Sequence, residues 1–494
     1  MRRGNTSFDR QPTMRNRSTG RPPGQPRQTP LLLALVVLIV TAICGPLYAG
    51  ERPNVLFLIS DDQRPDTIGA LGNEIIKTPH LDRLVREGTT FTRAIVAVPI
   101  CVASRAEILT GRDGLRNGNQ DWGFSPTHGV THWAAAMADG GYETCYVGKW
   151  HTVGRPSQHG YLTTQGLYAG GGGKFPLTHP QDWKGMDVTG YRGWVFQTDD
   201  RQLFPERGVG LTPDISADFA DAAIEFLSRQ RDQPFFLHVN FTAPHDPLFY
   251  PTGYEDLYDA DDMPLPRNFR PEHPFDHGNA GGRDELLYQS PRTPEETRAG
   301  LAVYYAVISH LDAQVGRILA ALENTNQLDN TLIIYSSDHG LAMGSHGLRG
   351  KQNMYEHSVG VPLIFRGPGV DADRRTAAQC YLRDLYPTTC DLSGIEIPDS
   401  VDGRSLRPVL AGRQDAVYEH VYAHFRDSQR MIRTDEWKYV IYPQVDREQL
   451  FHLSEDPDEL RNLATDPAHA DRLNTLRGRL TAWRASRGDS TLDD

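Results

Sequence analysis

Residues 54–60 read Asn-Val-Leu-Phe-Leu-Ile-Ser, an apolar run from Val55 to Ile59 with no polar alternation. That pattern predicts a strand buried on both faces, as in a parallel sheet covered by helices. Helical spacing follows at residues 79–87, where Leu81, Leu84 and Val85 share one face. The alternation recurs, with a strand at 235–240 (FFLHVN), a long helix at 297–322 and a strand at 331–336 (TLIIYS). The fold class is therefore α/β, a large and mostly parallel sheet sandwiched by helices. Residues 166–174 (GLYAGGGGK) and 247–294, rich in Pro, Asp and Gly, are predicted to be surface excursions. From about residue 415 the texture changes: residues 431–442 and 448–453 predict antiparallel strands, and 470–485 a closing helix. The expected organisation is a leader at 1–50, a main domain at 51–414 and a small C-terminal α+β subdomain at 415–494.

The leader emerges from charge. Residues 1–30 hold seven Arg and one acid, Asp9, followed by the apolar run LLLALVVLIVTAIC at 31–44. A basic region, an apolar stretch and small residues at 49 and 50 define a secretory signal cleaved near residue 50, with the product periplasmic or extracellular. The run is shorter than the ~20 residues of a spanning helix, so no stable membrane span is expected. Net charge is -12 overall, and removing the leader's +6 leaves -18 on the rest. Such a balance argues against a general nucleic-acid binder, which needs excess Lys and Arg. Of five cysteines, Cys44 would leave with the leader; Cys380 and Cys390 either pair or remain buried thiols.

Candidate chemistry clusters at strand ends, where open α/β sheets collect ligands. Asp61 and Asp62 follow the first strand directly, and Asp338 and His339 follow the strand at 331–336. Adjacent carboxylates within a strand point to opposite faces, so both reach one point only where the strand gives way to a loop. Three carboxylates brought together repel unless a divalent cation compensates them. The acids favour Ca²⁺ or Mg²⁺, while the imidazole leans towards zinc or manganese; capping of the following turn is the plain alternative. Cys101 is placed in a turn, with Arg105 four residues on and a helix start between them, a setting that favours anions. Lys149 and His151 end a strand two residues apart, hence on one face. His245 lies just past a third strand, within Ala-Pro-His-Asp-Pro, and Lys351 follows Asp338 by 13 residues.

These residues carry a resemblance over residues 52 to about 463. Cys101-Val102-Ala103-Ser104-Arg105 with Leu109-Thr110-Gly111, and Gly141 to His151 (GYETCYVGKWH), resemble the two signatures of the formylglycine-dependent type I sulfatases of the alkaline-phosphatase superfamily. Ala103 stands where that family usually has Pro. His339, where many members use Asn, is similar to the iduronate-2-sulfatase and choline-sulfatase branches, and residues 337–351 are most similar to the former. The resemblance implies an alkaline-phosphatase-like fold. It implies oxidation of Cys101 to formylglycine by a formylglycine-generating maturase, and a gem-diol whose cation-bound oxygen attacks the ester sulfur. Asp61, Asp62, Asp338 and His339, with residue 101, would hold Ca²⁺ or Mg²⁺. Arg105, Lys149 and Lys351 would stabilise the diol and the sulfuryl oxygens. His245, with Lys351, would protonate the leaving alcohol, and His151 would take the proton of the second hydroxyl.

Two other readings stand beside this one. A phosphate or phosphonate ester hydrolase of the same superfamily could use the same cradle, and a secreted glycan-binding relative could keep the fold without turnover. The expected substrate is a small-molecule or oligosaccharide sulfate ester, a carbohydrate sulfate in preference to choline or steroid sulfate. Residues 154–207 and 247–294 are expected to supply the pocket rim.

Overall fold

The run Asn54–Ser60 forms strand β1, buried throughout. It lies inside a ten-stranded sheet. The computed structural model describes residues 52–118 and 129–489; the predicted leader, with residues 31–44, lies outside them. The further strands are β2 (Thr89–Phe91), β3 (Ala94–Ile95), β4 (Glu143–Lys149), β5 (Thr163–Gly170), β6 (Trp194–Gln197) and β7 (Leu203–Val209). Then come β8 (Phe235–Asn240), β9 (Thr331–Ser337), β10 (Leu363–Arg366), β11 (Arg374–Thr376) and β12 (Cys380–Tyr381). The sheet order is β11-β2-β10-β9-β1-β8-β4-β5-β6-β7, with β3 and β12 paired separately. Neighbours from β9 through β1, β8 and β4 to β5 are parallel, while β10, β6 and β7 run antiparallel to their neighbours towards the edges.

The uninterrupted apolar run has a direct cause in the layers. Leu56 and Leu58 pack with Phe219 and Ala223 of the Ile215–Leu227 helix and with Leu311 and Val315 of the Pro294–Asn324 helix. Val55, Phe57 and Ile59 point the other way, into a core holding Trp133, Met137 and Leu385. Each such fully buried side chain contributes about 1.5–3 kcal/mol. The architecture is the expected α/β sandwich, a mostly parallel sheet with helices on both faces. Among the described residues no helix is long and apolar enough to cross a membrane. Cys145, Cys380 and Cys390 are free, buried thiols.

The C-terminal part is an antiparallel meander of β13 (Val421–Phe425), β14 (Gln429–Arg433), β15 (Trp437–Tyr442) and β16 (Arg447–His452). One face packs Ile432, Tyr439 and Leu450 against Leu473, Leu476 and Leu480 of the Ala470–Ser486 helix. The other packs Phe425, Met431, Val440 and Tyr442 against Ile100 and Ala103. The small subdomain thus supports the segment that carries Cys101.

Three expectations change. Residues 166–170 belong to β5 of the main sheet, so the excursion begins only after Gly170. Glycine weakens a strand signal, yet Gly166 is needed there: a Cβ would come within 2.9 Å of the Ala222 Cβ on the covering helix. The stretch 154–207 likewise contains β6 and most of β7. Residues 247–294 hold no strand, but they dive inward and bury Asn279, Asp284, Glu285 and Arg292.

Strand β4 carries an irregularity between Val147 and Gly148. Gly148 has φ of 91°, and a Cβ there would sit 1.9 Å from the Asn240 carbonyl oxygen. Gly148→Ala is therefore expected to lower stability by on the order of 3 kcal/mol, from backbone strain and overpacking together. Urea unfolding checks this, and an unchanged midpoint would contradict the close approach.

Candidate active site

Four strands end level with one another. Ser60 pairs with Ser337, Ile59 with Asn240, and Gly148 with Asn240 across their ladders. The residues that follow these ends consequently converge at the carboxyl edge of the sheet. Asp62 adopts a left-handed backbone, φ 70°, which Asp tolerates better than most residues. That turn lets Asp61 and Asp62 address one centre instead of opposite faces.

Cys101 is the first residue of the Cys101–Thr110 helix, one residue after extended Ile100, so the helix starts at Cys101 and not between it and Arg105. Its Sγ lies 3.5 Å from Asp61 Oδ1, 3.2 Å from His339 Nε2 and 3.5 Å from Lys351 Nζ. Ligand atoms of Asp61, Asp62, Cys101 and His339 all lie within 4.8 Å of one another. Asp338 borders this cluster: Oδ1 accepts the Asp62 N–H at 3.2 Å and is 3.8 Å from His339 Nε2, while Oδ2 accepts from Arg105 Nε at 3.0 Å.

Cations answer the acids one by one. Lys149 is paired with Asp61, to which Tyr191 also donates at 2.9 Å. Lys351 donates to both Asp62 oxygens at 2.8 and 2.9 Å, and Arg105 donates to Asn240 Oδ1 at 2.6 Å. His245 sits above, its Nε2 3.8 Å from Asp62 Oδ2. The expected one-face placement of Lys149 and His151 does not follow from strand alternation, because β4 ends at Lys149. His151 lies beyond the strand, lining a small cavity with Arg105, Tyr146, His238 and Asn240.

Burial dominates the titration behaviour. It pushes Asp62 well above the usual carboxylate range, aided by Asp61, Asp338 and Asp284, with Lys351 opposing. For Asp61 burial acts in the same direction, but Lys149, His245, Arg105 and Lys351 outweigh it and hold the carboxyl well below its ordinary value. Burial and the Asp61 charge raise the Cys101 thiol well above 9.0, so it is protonated. Burial lowers His339 to about 4, and His151 and His245 well below 6.5, so all three imidazoles are neutral near pH 7. His339 Nδ1 faces the Gly340 carbonyl at 3.0 Å, which can only accept. The proton is therefore on Nδ1, and the Nε2 lone pair faces the cluster.

Nine of the ten sequence-predicted residues thus meet in one place, and His151 borders them through the small cavity it shares with Arg105. Tyr191, Asn240, Asp246 and Asp284 belong there too and were not anticipated. Asp246 sits within the Ala-Pro-His-Asp-Pro motif and could have been suspected; Tyr191 and Asp284 lie in stretches read only as rim. Asp284 Oδ2 is 3.8 Å from Lys351 Nζ.

The fold and this carboxylate, imidazole and cysteine centre define a hydrolase of the alkaline-phosphatase-like class. A model of the sulfatase family matches residues 53–395, and one for the C-terminal part of N-sulphoglucosamine sulphohydrolase matches 344–486. An arylsulfatase of Clostridium perfringens is 31% identical, over 86% of this chain and 93% of its own. An N-acetylglucosamine-6-O-sulfatase of Bacteroides thetaiotaomicron is 26% identical over 90% of this chain and 89% of its own. The solved phosphonate monoester hydrolase of Agrobacterium radiobacter superposes with a TM-score of 0.72 at 25% identity, covering 88% of this chain and 96% of its own. The chain belongs to the sulfatase family and is a sulfuric ester hydrolase.

Removing the Tyr191 hydroxyl takes one donor from buried Asp61. Tyr191→Phe should cost about 1.5–3 kcal/mol of transition-state stabilisation, the worth of a hydrogen bond to a charged group. Steady-state sulfate release measures this, and an unaltered kcat/KM would contradict a role for that contact.

Proposed function

We propose that the enzyme hydrolyses sulfate esters of carbohydrates, using a formylglycine derived from Cys101 and a bound Ca²⁺, with Mg²⁺ as the other hard cation the site suits. The observation that carries this reading is the convergence of Asp61, Asp62, Cys101 and His339 donor atoms within 4.8 Å, bordered by Asp338. The donor set fits a hard divalent cation. Asp62 is buried beside other carboxylates, and His339 offers a lone pair. When bound, the ion supplies Lewis-acid polarisation of an oxygen at the centre. Residue 101 fits the modification equally well. As a buried, protonated thiol it is a poor nucleophile, and it faces two carboxylates and an ammonium that suit an oxygen-bearing side chain. Made by a maturase, formylglycine would supply a hydrated aldehyde, one hydroxyl for attack on sulfur and a second whose deprotonation releases sulfate.

The chain's own residues then have separable tasks. Arg105, Lys149 and Lys351 place three cationic groups around the position of the sulfuryl oxygens, where charge builds in the transition state. His151, neutral near pH 7, is suited to accept the proton of the second hydroxyl. His245 would hand a proton to the leaving oxygen; it is neutral in the free site, and an arriving sulfate anion favours its charged form.

A cavity of about 470 Å³ is lined by residues including Asp276, Asn279, Asp284, Gln352, Arg426 and Gln444, and of these Asp284 lies 3.8 Å from Lys351 Nζ. Among the described residues its lining holds no aromatic ring and no branched apolar side chain. That chemistry favours a polyhydroxylated leaving group over a steroid, which needs apolar walls, or a quaternary ammonium, which needs aromatic faces. Residues 247–294 supply part of this wall; Arg426 and Gln444 come from the C-terminal meander, outside the expected rim. The basic and apolar leader supports export to the periplasm or the exterior.

Two outcomes are expected. On a panel of sulfated sugars, nitrophenyl sulfate and a phosphonate monoester, kcat/KM should be highest for a sulfated sugar; a preference for the phosphonate would favour the rival hydrolase. Chelation should abolish turnover and added Ca²⁺ or Mg²⁺ restore it, with Asp62→Asn raising the cation concentration required. A chelated enzyme working at full rate would contradict the metal.

A further inference from the structure

The Asp246 carboxylate is gripped by both arms of one guanidinium. Arg283 donates to its Oδ2 at 2.7 Å and its Oδ1 at 2.9 Å, a bidentate fork. Asp246 itself is almost wholly buried, with 5% of its side chain exposed, whereas Arg283 is 32% exposed and borders the polar cavity. On its inner side Asp246 meets His245 twice: the backbone oxygen is 2.5 Å from Nδ1, and Oδ1 is 3.3 Å from the same nitrogen. A carbonyl only accepts, so Nδ1 carries a proton and Nε2 is the nitrogen that faces the reaction centre. The space around the fork is tight. A Cβ on Gly190 would come within 2.5 Å of Arg283 Nη1 and 3.0 Å of Asp246 Oδ2. The next residue is Tyr191, which donates to Asp61 and whose ring meets the His245 ring edge-on at 4.9 Å.

We propose that Arg283 and Asp246 are positioning residues that aim His245 Nε2 at the leaving oxygen, so that proton delivery depends on a fork rooted in the wall of the leaving-group cavity. This rests on the reading of His245 as the proton donor. In the step itself a deprotonated oxygen carried by residue 101 bonds to sulfur as the ester S–O bond breaks, the electron pair of the broken bond stays on the leaving oxygen, and the Nε2 proton of the imidazolium moves to that oxygen. His245 then returns to the neutral form that keeps Nδ1–H on the Asp246 carbonyl. Asp246 lies beside the positive charge while it exists, and Arg283 fixes the carboxylate's orientation and offsets its charge, so the imidazolium is oriented without being locked in place as an ion pair. The same guanidinium pairs with Asp284, which stands beside Lys351. Substitution of Arg283 therefore touches two groups, and Asp246→Asn isolates the His245 arm.

The test is the dependence of kcat/KM on leaving-group pKa, read on a series of simple aryl and alkyl sulfates that make few contacts with the cavity. His245→Ala, Asp246→Asn, Arg283→Lys and Gly190→Ala are compared with the wild type, with thermal unfolding to show that each is folded. A protonated leaving group makes the dependence shallow. Asp246→Asn and Arg283→Lys should each steepen it, losing on alkyl sulfates up to roughly the 10²-fold that general acid catalysis supplies at its lower end, and far less on nitrophenyl sulfate. Gly190→Ala should shift the fork and steepen the slope in the same sense, with kcat changed more than KM. Placed in a His245→Ala background, Asp246→Asn should add almost nothing to the loss.

Equal losses on every ester, or a full additional loss in the His245→Ala background, would overturn the positioning role. If His245→Ala itself lowers all esters equally, the donor assignment fails first. If His245→Ala is selective and the fork variants are not, the donor stands and the fork proposal falls.

Discussion

Everything in this active centre depends on keeping three carboxylates dry. Asp61, Asp62 and Asp338 are fully buried at the ends of two neighbouring parallel strands. Each is met by a buried cation: Lys149, Lys351 and Arg105 in turn. Removing one partner of such a pair leaves an uncompensated buried charge, which typically costs about 3–5 kcal/mol. The parallel register makes the arrangement feasible, because it brings four strand ends to one level. The apolar layers on both faces of β1 keep that level fixed, and the C-terminal meander does the same for the helix that begins at Cys101.

Pairing does not exhaust the negative charge. Asp246 and Asp284 add two more carboxylates that share the one Arg283 guanidinium, and Asp62 remains pushed well above its ordinary range. Within the proposed function, this is why a divalent cation and an anionic ester belong together. The chain carries -12 overall, -18 without its leader, and the local cations are already engaged by acids. A bound cation would release part of their field towards a sulfate.

Much of this was legible in the sequence for identifiable reasons. An apolar run followed at once by Asp61-Asp62, or by Asp338-His339, marks a buried strand with these residues just past its carboxyl end, and the sheet bears that out. What the sequence hid is equally specific. Glycines at 166 and 170 masked β5 by weakening its strand signal, and only the first of them serves close packing, against Ala222. The left-handed turn at Asp62 that aims two adjacent carboxylates together has no marker beyond the residue type. Tyr191, Asn240 and Asp284 reach the centre through tertiary folding of stretches that look like rim or like ordinary strand. Arg426 and Gln444 border the cavity only because the meander packs against the segment around Ile100 and Ala103.

The identity of residue 101 decides whether this assembly is a nucleophilic centre or an inert buried thiol. Mass spectrometry of the tryptic peptide spanning residues 94–105, from enzyme produced with its own maturation machinery, measures it directly. Formylglycine at position 101 is the predicted result, and a peptide carrying only the intact cysteine would contradict it.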